Sequence, residues 1–303
     1  MSTATEELRV NLITFLKNKF DMNGLIQSPL DSLDFYFSEE PTSFSSIMYE
    51  PSLCIILQGS KAVGFGDKMY GYKTNEYLLA STFVPANISV LEASKEEPYV
   101  SFRLKFTLED IYEVLKNSNP NNIQYNKNSE KGLFFDEINE RLYEPVSRLV
   151  KLIDRPVEDI NYLSPMIIKE ILYVLINDKS GYFLNKFAME GTISNKIVKA
   201  ISEIKTNFSE KLNVKELANS LDISESSLYQ NFKTVTSMSP IQFQKKLRLE
   251  EAKQMIEVRN IEISEIAYLV GYESPSQFSR EFSRMFDMSP KAYLKYIKEQ
   301  KIA

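Results

Sequence analysis

Glu216-Leu-Ala-Asn-Ser-Leu-Asp-Ile-Ser-Glu-Ser-Ser-Leu-Tyr-Gln-Asn-Phe-Lys233, followed by Met238-Ser-Pro240, has a second version downstream. That version reads Glu265-Ile-Ala-Tyr-Leu-Val-Gly-Tyr-Glu-Ser-Pro-Ser-Gln-Phe-Ser-Arg-Glu-Phe282, followed by Met288-Ser-Pro290. Leu228, Phe232 and Pro240 correspond to Phe278, Phe282 and Pro290 fifty places later. Ala218 corresponds to Ala267 after forty-nine, so the second copy has one extra residue in its turn. A repeat of this kind implies two similar supersecondary units.

Each copy reads as two short helices around a tight turn. In the first, Leu217, Ala218 and Leu221 give an apolar face, Asp222-Ile223 the turn, and Ser224 an N-cap for the next helix. Leu228, Phe232 and Val235 then fall at i, i+4 and i+7. In the second copy, Ile266, Ala267 and Val270 supply the first face. Gly271 can take the positive φ that closes a helix. Ser274-Pro275 supplies a cap and a proline at the first helical position, with Phe278, Phe282 and Met285 on the apolar side.

The remaining faces carry Ser226, Ser227, Tyr229, Gln230 and Lys233 in the first copy. In the second they carry Ser276, Gln277, Ser279, Arg280 and Arg284. Hydroxyls, amides and guanidinium groups read base edges in the major groove, which admits a helix. None of these ten residues is a carboxylate, although Glu225, Glu273 and Glu281 lie nearby. Between the copies, Pro240 to Arg259 reads as a helix with Phe243, Leu247, Leu249, Ala252 and Ile256 in a stripe, and Asn260 ends it. Such a bridge would set the spacing of two reading helices, which must be roughly 34 Å apart to enter successive major grooves. Lys245, Lys246 and Arg248 on it are expected phosphate contacts.

From Ser194 to Tyr296 the chain resembles the AraC/XylS-type DNA-binding domain of bacterial transcription regulators. The resemblance rests on the doubled turn, the two Ser-Pro pairs, Arg248-Leu-Glu-Glu-Ala252, and Ile266-Ala267 through Phe286 to Tyr293. It implies base-reading roles for Ser226, Tyr229 and Gln230, and for Ser276, Gln277 and Arg280. Many members carry Arg where this chain has Gln230.

The bulk numbers bound the rest. At 303 residues with 43% hydrophobic and 25% charged content, the chain is globular and long enough for two domains. Net charge is −5, but residues 195–303 hold 17 Lys/Arg against 14 Asp/Glu, while residues 1–194 hold 19 against 27. The basic excess thus sits with the repeat, and it is small, so DNA affinity should lean on dimerisation and specific contacts. With no histidine and one cysteine, Cys54, no His-based metal site, His base or internal disulfide can form. Cys54, in an apolar strand with nothing basic beside it in sequence, reads as a buried thiol. No signal peptide or membrane span is read, so the expected location is the cytoplasm. No catalytic residue, metal or other cofactor is expected.

In the front half, residues 6–20 read as an amphipathic helix and Asp21 to Leu33 as loop. Strands are expected at 33–37, 44–50, 52–58, 61–66, 68–73, 77–83, 87–93 and 98–106, with Pro85-Ala86 as a turn. A helix capped by Thr107 with Asp110 follows, then a polar loop over Asn117–Lys131 and a helix over 136–153. Another helix is read as starting at Ser164-Pro165, apolar over a wide arc that suits core packing or a dimer contact. Ser194 is expected to cap a helix from Lys196 to Phe208.

Residues 35–185 also resemble the N-terminal domain of AraC-type regulators, best at Tyr49-Glu-Pro-Ser-Leu-Cys-Ile-Ile-Leu-Gln-Gly-Ser-Lys61, with support in Tyr77-Leu-Leu-Ala-Ser81, Pro98-Tyr99 and Glu170-Ile171-Leu172. That resemblance implies a cupin-like antiparallel β-barrel (about 33–106) with helices (about 107–180), used for ligand sensing and dimerisation. The expected architecture is therefore an α+β two-domain protein. Residues 1–186 form the sensing domain, 187–193 a linker, and 194–303 an all-α domain with two helix-turn-helix units. Gln58, Glu92 and Arg103 are polar groups on barrel strands and the candidate ligand contacts; facing water is the alternative. The implied function is a transcription regulator, on balance an activator, that binds double-stranded operator DNA as a homodimer, contacts RNA polymerase and answers to a small-molecule effector. Two alternatives stay open: a constitutive DNA-binding protein whose barrel only dimerises, and a cupin-type enzyme. The missing histidines argue against the second.

Overall fold

A computed structural model describes residues 3–21, 23–117, 131–258 and 261–300. Most of the loop expected over Asn117–Lys131, and the end of the bridge at Arg259-Asn260, lie outside these residues. The chain divides into two compact units, Met1–Val198 with Thr234–Ser237, and Lys199–Lys233 with Met238–Ala303.

The N-terminal unit opens with α1 (Thr3–Lys19) and continues into strands β1 (Gly24–Gln27), β2 (Leu33–Ser38), β3 (Ser45–Tyr49), β4 (Ser52–Gln58) and β5 (Ser60–Phe65). Then come β6 (Lys68–Lys73), β7 (Glu76–Ala80), β8 (Val84–Glu92), β9 (Tyr99–Lys105), α2 (Leu108–Asn117) and β10 (Leu133–Glu137). The strands make two antiparallel sheets, β1-β2-β9-β4-β7-β10 and β3-β8-β5-β6. Alternation divides the larger sheet. Cys54, Ile56, Leu78, Ala80 and Tyr99 join Tyr49, Val63, Phe65, Tyr72, Val84, Ala86 and Val90 of the smaller sheet in one apolar cluster between the sheets. The opposite face, with buried Phe35, Phe37, Leu53, Ile55, Phe102 and Leu104, is covered by helices. Phe20 just past α1 packs on Phe35 with ring centroids 5.5 Å apart. The expected cupin-like arrangement is present as this double antiparallel sheet.

The helical layer is α3 (Glu140–Leu152), α4 (Val157–Ile176) and α5 (Gly181–Ala188). The capping box before α2 forms as expected: the Asp110 amide donates to Thr107 Oγ1 (3.1 Å) and the Thr107 amide to Asp110 Oδ2 (2.7 Å). Several expectations are corrected. The stretch read as loop from Asp21 holds β1, an edge strand that is partly covered on alternate residues. The helix read from residue 136 begins at Glu140, after β10. There Phe134 points to the helices and packs at a tilt against Phe183, while Phe135 stacks on Tyr70 and meets Tyr72 edge-on between the sheets. Pro85 lies inside β8; it falls beyond the last β5–β8 pair, Gly64 with Asn87, so its missing N–H removes nothing from that ladder. Ser164-Pro165 does not start a helix but sits within α4, whose first turn follows Pro156.

The helix α6 (Ile193–Thr206) is capped by Thr192, whose Oγ1 accepts from the Asn195 amide (3.1 Å), and not by Ser194, which is buried. The C-terminal unit continues with α7 (Val214–Ser220), α8 (Glu225–Thr236), α9 (Pro240–Val258), α10 (Ile263–Leu269), α11 (Pro275–Phe286) and α12 (Pro290–Gln300). The bridge α9 buries Phe243, Leu247, Leu249, Ala252 and Ile256, the stripe its sequence shows. Leu249, Ala252 and Ile256 meet Ile266, Ala267, Val270, Phe278 and Phe282 in one core.

Candidate nucleic-acid interface and sensing site

The repeat in sequence becomes a repeat in backbone. The bounds of α7 and α10 differ by forty-nine residues at both ends, and those of α8 and α11 by fifty. Each turn passes through a left-handed residue, Asp222 (φ 52°) in the first copy and Gly271 (φ 88°) in the second. Each second helix is followed by another, Ser237 (φ 61°) and Asp287 (φ 55°). Caps repeat as well. Ser224 Oγ accepts from the Ser227 amide at 3.2 Å and Ser274 Oγ from the Gln277 amide at 3.4 Å. Ser239 and Ser289 cap α9 and α12 in the same way, at 3.3 and 3.2 Å.

Burying Leu228 and Phe232 on α8, and Phe278 and Phe282 on α11, turns the polar faces outward. Ser226, Tyr229, Gln230 and Lys233 are exposed and Ser227 is partly buried. Ser276, Gln277, Arg280 and Arg284 are exposed and Ser279 is partly buried. Among the described residues Arg280 and Arg284 make no hydrogen bond or ion pair, so both guanidinium groups are available to an anionic partner.

Glu281 is tied into the second unit. Its Oε1 accepts from Gln277 Nε2 (3.1 Å) and pairs with Lys245 Nζ (3.2 Å), and its Oε2 accepts from the Tyr272 hydroxyl (2.9 Å). Partial burial works against its charge, but these donors hold its carboxyl below the ordinary glutamate range. Lys245 of α9 thereby lies beside α11. Lys246 is partly buried.

Arg248, expected on phosphate, is occupied otherwise. Its Nε donates to Phe208 O (2.7 Å), Nη1 to Gly271 O (2.7 Å) and Nη2 to Glu210 O (2.8 Å), with Tyr272 5.9 Å from its guanidinium carbon. The residue fastens the second turn to the segment after α6. No sequence pattern distinguishes such an arginine from a phosphate contact, because its partners are backbone carbonyls of distant segments.

In the N-terminal unit the three candidate ligand contacts are not brought together. Glu92 is exposed at the end of β8. Gln58 follows a β-bulge, pairs with Val100 on the helix-covered face and donates to Pro98 O at 2.8 Å. Arg103 alone faces the space between the sheets, opposite Cys54 and Asp34. It pairs with Asp34 (2.5 Å) and Glu50 (3.2 Å), while Lys105 also reaches Asp34 (3.4 Å). Cys54 is buried there as expected, and burial pushes its thiol up. Sequence reading passed over Lys61, which shares one face of β5 with buried Val63 and Phe65. A lone cation on an apolar strand face was the available signal.

Known proteins fit both units. Residues 29–183 match the family described as the AraC-type transcriptional regulator N-terminus, and residues 217–296 match a helix-turn-helix domain. The raffinose operon transcriptional regulatory protein RafR of Pediococcus pentosaceus is 31% identical over 160 residues, 52% of this chain and 57% of that protein. The lactose operon transcription activator of Staphylococcus xylosus is 28% identical over 151 residues, 49% of this chain and 54% of that protein. The chain spans about half the length of these curated relatives. In fold it is similar to unsaturated fatty acid-bound ToxT from Vibrio cholerae, with a TM-score of 0.56 at 14% identity over 91% of this chain and 96% of that one. With the N-terminal match covering half its length and a paired helix-turn-helix behind it, the chain belongs to the AraC-type DNA-binding transcription regulators.

Proposed function

We propose that the chain is a sequence-specific activator, working in the cytoplasm as a homodimer, whose hold on its operator is set by a small-molecule effector bound in the N-terminal unit. The observation that carries the DNA reading is the doubled backbone device: two helix pairs with matched caps and matched left-handed turns, each facing outward with hydroxyl, amide and cationic side chains. Ser226, Ser227, Tyr229, Gln230 and Lys233, with Ser276, Gln277, Ser279, Arg280, Arg284 and Lys245, are the proposed contacts. Residues 194–303 form the reading domain and 1–186 the sensing one, joined through 187–193.

The activator sign is supported by the Staphylococcus relative, an activator of the lactose operon, and a sensing role by the fatty acid bound to the fold neighbour. Contact with RNA polymerase would follow from activation. The effector acts by binding one arrangement of the dimer better than another. Genome-wide mapping of bound sites, followed by operator titration with the purified chain, tests the reading. Binding confined to a few promoters, with transcription lost on deletion, is expected. Uniform binding to any duplex would overturn it.

A second reading has its own observation. Tyr49, Tyr72 and Tyr99 are all at most 3% exposed, so much of the space between the sheets is filled, as in a regulator whose sheets only dimerise. Operator affinity that no small molecule changes would favour it.

A further inference from the structure

Lys61 projects between the two sheets. Its cross-strand neighbours are Tyr72 on β6 and Val90 on β8, and both belong to the cluster enclosed there. Directly opposite residues in an antiparallel pair share a face, so Lys61 must point where they do. The side chain keeps part of its surface open, so it is reachable from solvent. Its packed surroundings still push the ammonium below the ordinary lysine range.

Local charge does not balance. Asp34 and Glu50 are the carboxylates at this end of the sheets, and Arg103 and Lys105 already pair with them. Lys61 makes no hydrogen bond or ion pair among the described residues. A cation surrounded by protein is costly unless something negative meets it. Two donors are idle in the same cluster. The Tyr49 hydroxyl, beside that of Tyr72, and the Tyr99 hydroxyl, beside Ser101, are both buried, and neither donates its proton to an acceptor. Burial pushes these phenols well up, so they stay protonated and can donate.

We propose that the effector is a small organic anion, its carboxylate or phosphate head held by Lys61 and by the Tyr49 and Tyr99 hydroxyls. The inference rests on the sensing reading above and supplies the chemistry that reading lacks. It places the charge-matching residue on β5, outside the set Gln58, Glu92 and Arg103.

The test uses the full chain. Thermal unfolding is followed with hexanoate or glucose 6-phosphate, each beside its uncharged counterpart, hexanamide or glucose. One of the two anions should raise the midpoint by about 5 °C at saturation, and which one does so identifies the head group. Lys61→Met should lose that rise, and Lys61→Arg should keep part of it. No rise with either anion in the natural chain, or an equal rise in Lys61→Met, overturns the proposal. A rise with hexanamide or glucose that Lys61→Met retains also overturns it, yet leaves small-molecule sensing standing. Loss of operator binding by the natural chain is a separate result, and that would bring down the regulator reading itself.

Discussion

Arg280 stands exposed on α11 with no intramolecular partner among the described residues, so its guanidinium keeps both prongs for a base edge. Arg280→Ala should lower affinity for the specific operator by about 1–3 kcal/mol while leaving non-specific binding nearly unchanged. An operator titration that does not move would remove Arg280 from the readers. Lys61 offers a different single-residue test, read through pH. Its folded pKa lies below its unfolded one because burial disfavours the charge. Between the two values the unfolded chain binds more protons, so stability from this group rises with pH across that window. The groups facing it are Cys54 and Arg103, with the Tyr49, Tyr72 and Tyr99 phenols and the paired Asp34, Glu50 and Lys105 around them. Comparing with Lys61→Met removes their shared contribution. Without effector, the variant should be the more stable at about pH 7, and its advantage should shrink as pH approaches about 10. A constant difference would mean that Lys61 carries no burial penalty.

The two turns look alike but are not equally replaceable. At Gly271 a Cβ would sit 2.1 Å from Ser209 O and 2.9 Å from the Arg248 guanidinium carbon, at a φ of 88° that already disfavours side chains. Gly271→Ala should therefore break the Arg248 fastening and destabilise the second unit by more than 1–2 kcal/mol, roughly the cost of the φ alone. Asp222→Gly, at the matching turn, should cost little or stabilise. Chemical denaturation of both variants decides this, and equal effects would contradict the structural asymmetry. Glu281 makes a second element-scale prediction. With its carboxylate holding Lys245 and Gln277, Glu281→Gln should free Lys245 for phosphate and steepen the salt dependence of DNA binding by about one charge; an unchanged slope would detach Lys245 from the interface. At this scale, what could be read in advance followed from local rules. The doubled turn, its serine caps and the α9 stripe are periodic, and the Thr107–Asp110 box is set by neighbours three residues apart. What escaped depends on distant partners. The edge strand β1 exists because β2 pairs with it, and β10 because β7 does. Pro165 reads as a helix start, yet α4 runs through it because Ile160, Ser164, Ile167 and Ile171 are buried along one side. Lys61 was legible in part: Val63 and Phe65 mark its face of β5 as apolar, but that this face turns between the sheets is fixed by Tyr72 and Val90.

For the molecule as a whole, the question is why a chain of net charge −5 should bind a polyanion tightly. The reading unit contributes only a small basic excess, and Lys245 is partly neutralised by Glu281. One reader therefore has few charges with which to displace counterions, and its non-specific affinity should be modest. Joining two readers raises avidity without any new contact, by about 10²–10⁴ when both sites can be reached together. The N-terminal unit has a surface suited to that joining. Along α4, Tyr162 (69%), Leu163 (39%), Met166 (53%) and Tyr173 (47%) are apolar yet exposed, at spacings that place them on one side of the helix. Isolated apolar residues on a surface need no explanation, but an apolar stripe, interrupted here only by the ion-paired Lys169 and Glu170, fits a second copy of the same helix. Residues 194–303 alone should thus bind the operator about 100-fold or more weakly than the full chain, with the same sequence preference. Met166→Glu in the full chain should sediment as a monomer and fall to the affinity of the fragment, because a charge on that stripe cannot be buried unpaired. If fragment and full chain bound equally, pairing would have no part in recognition, and the specific contacts of α8 and α11 would have to supply all of the affinity.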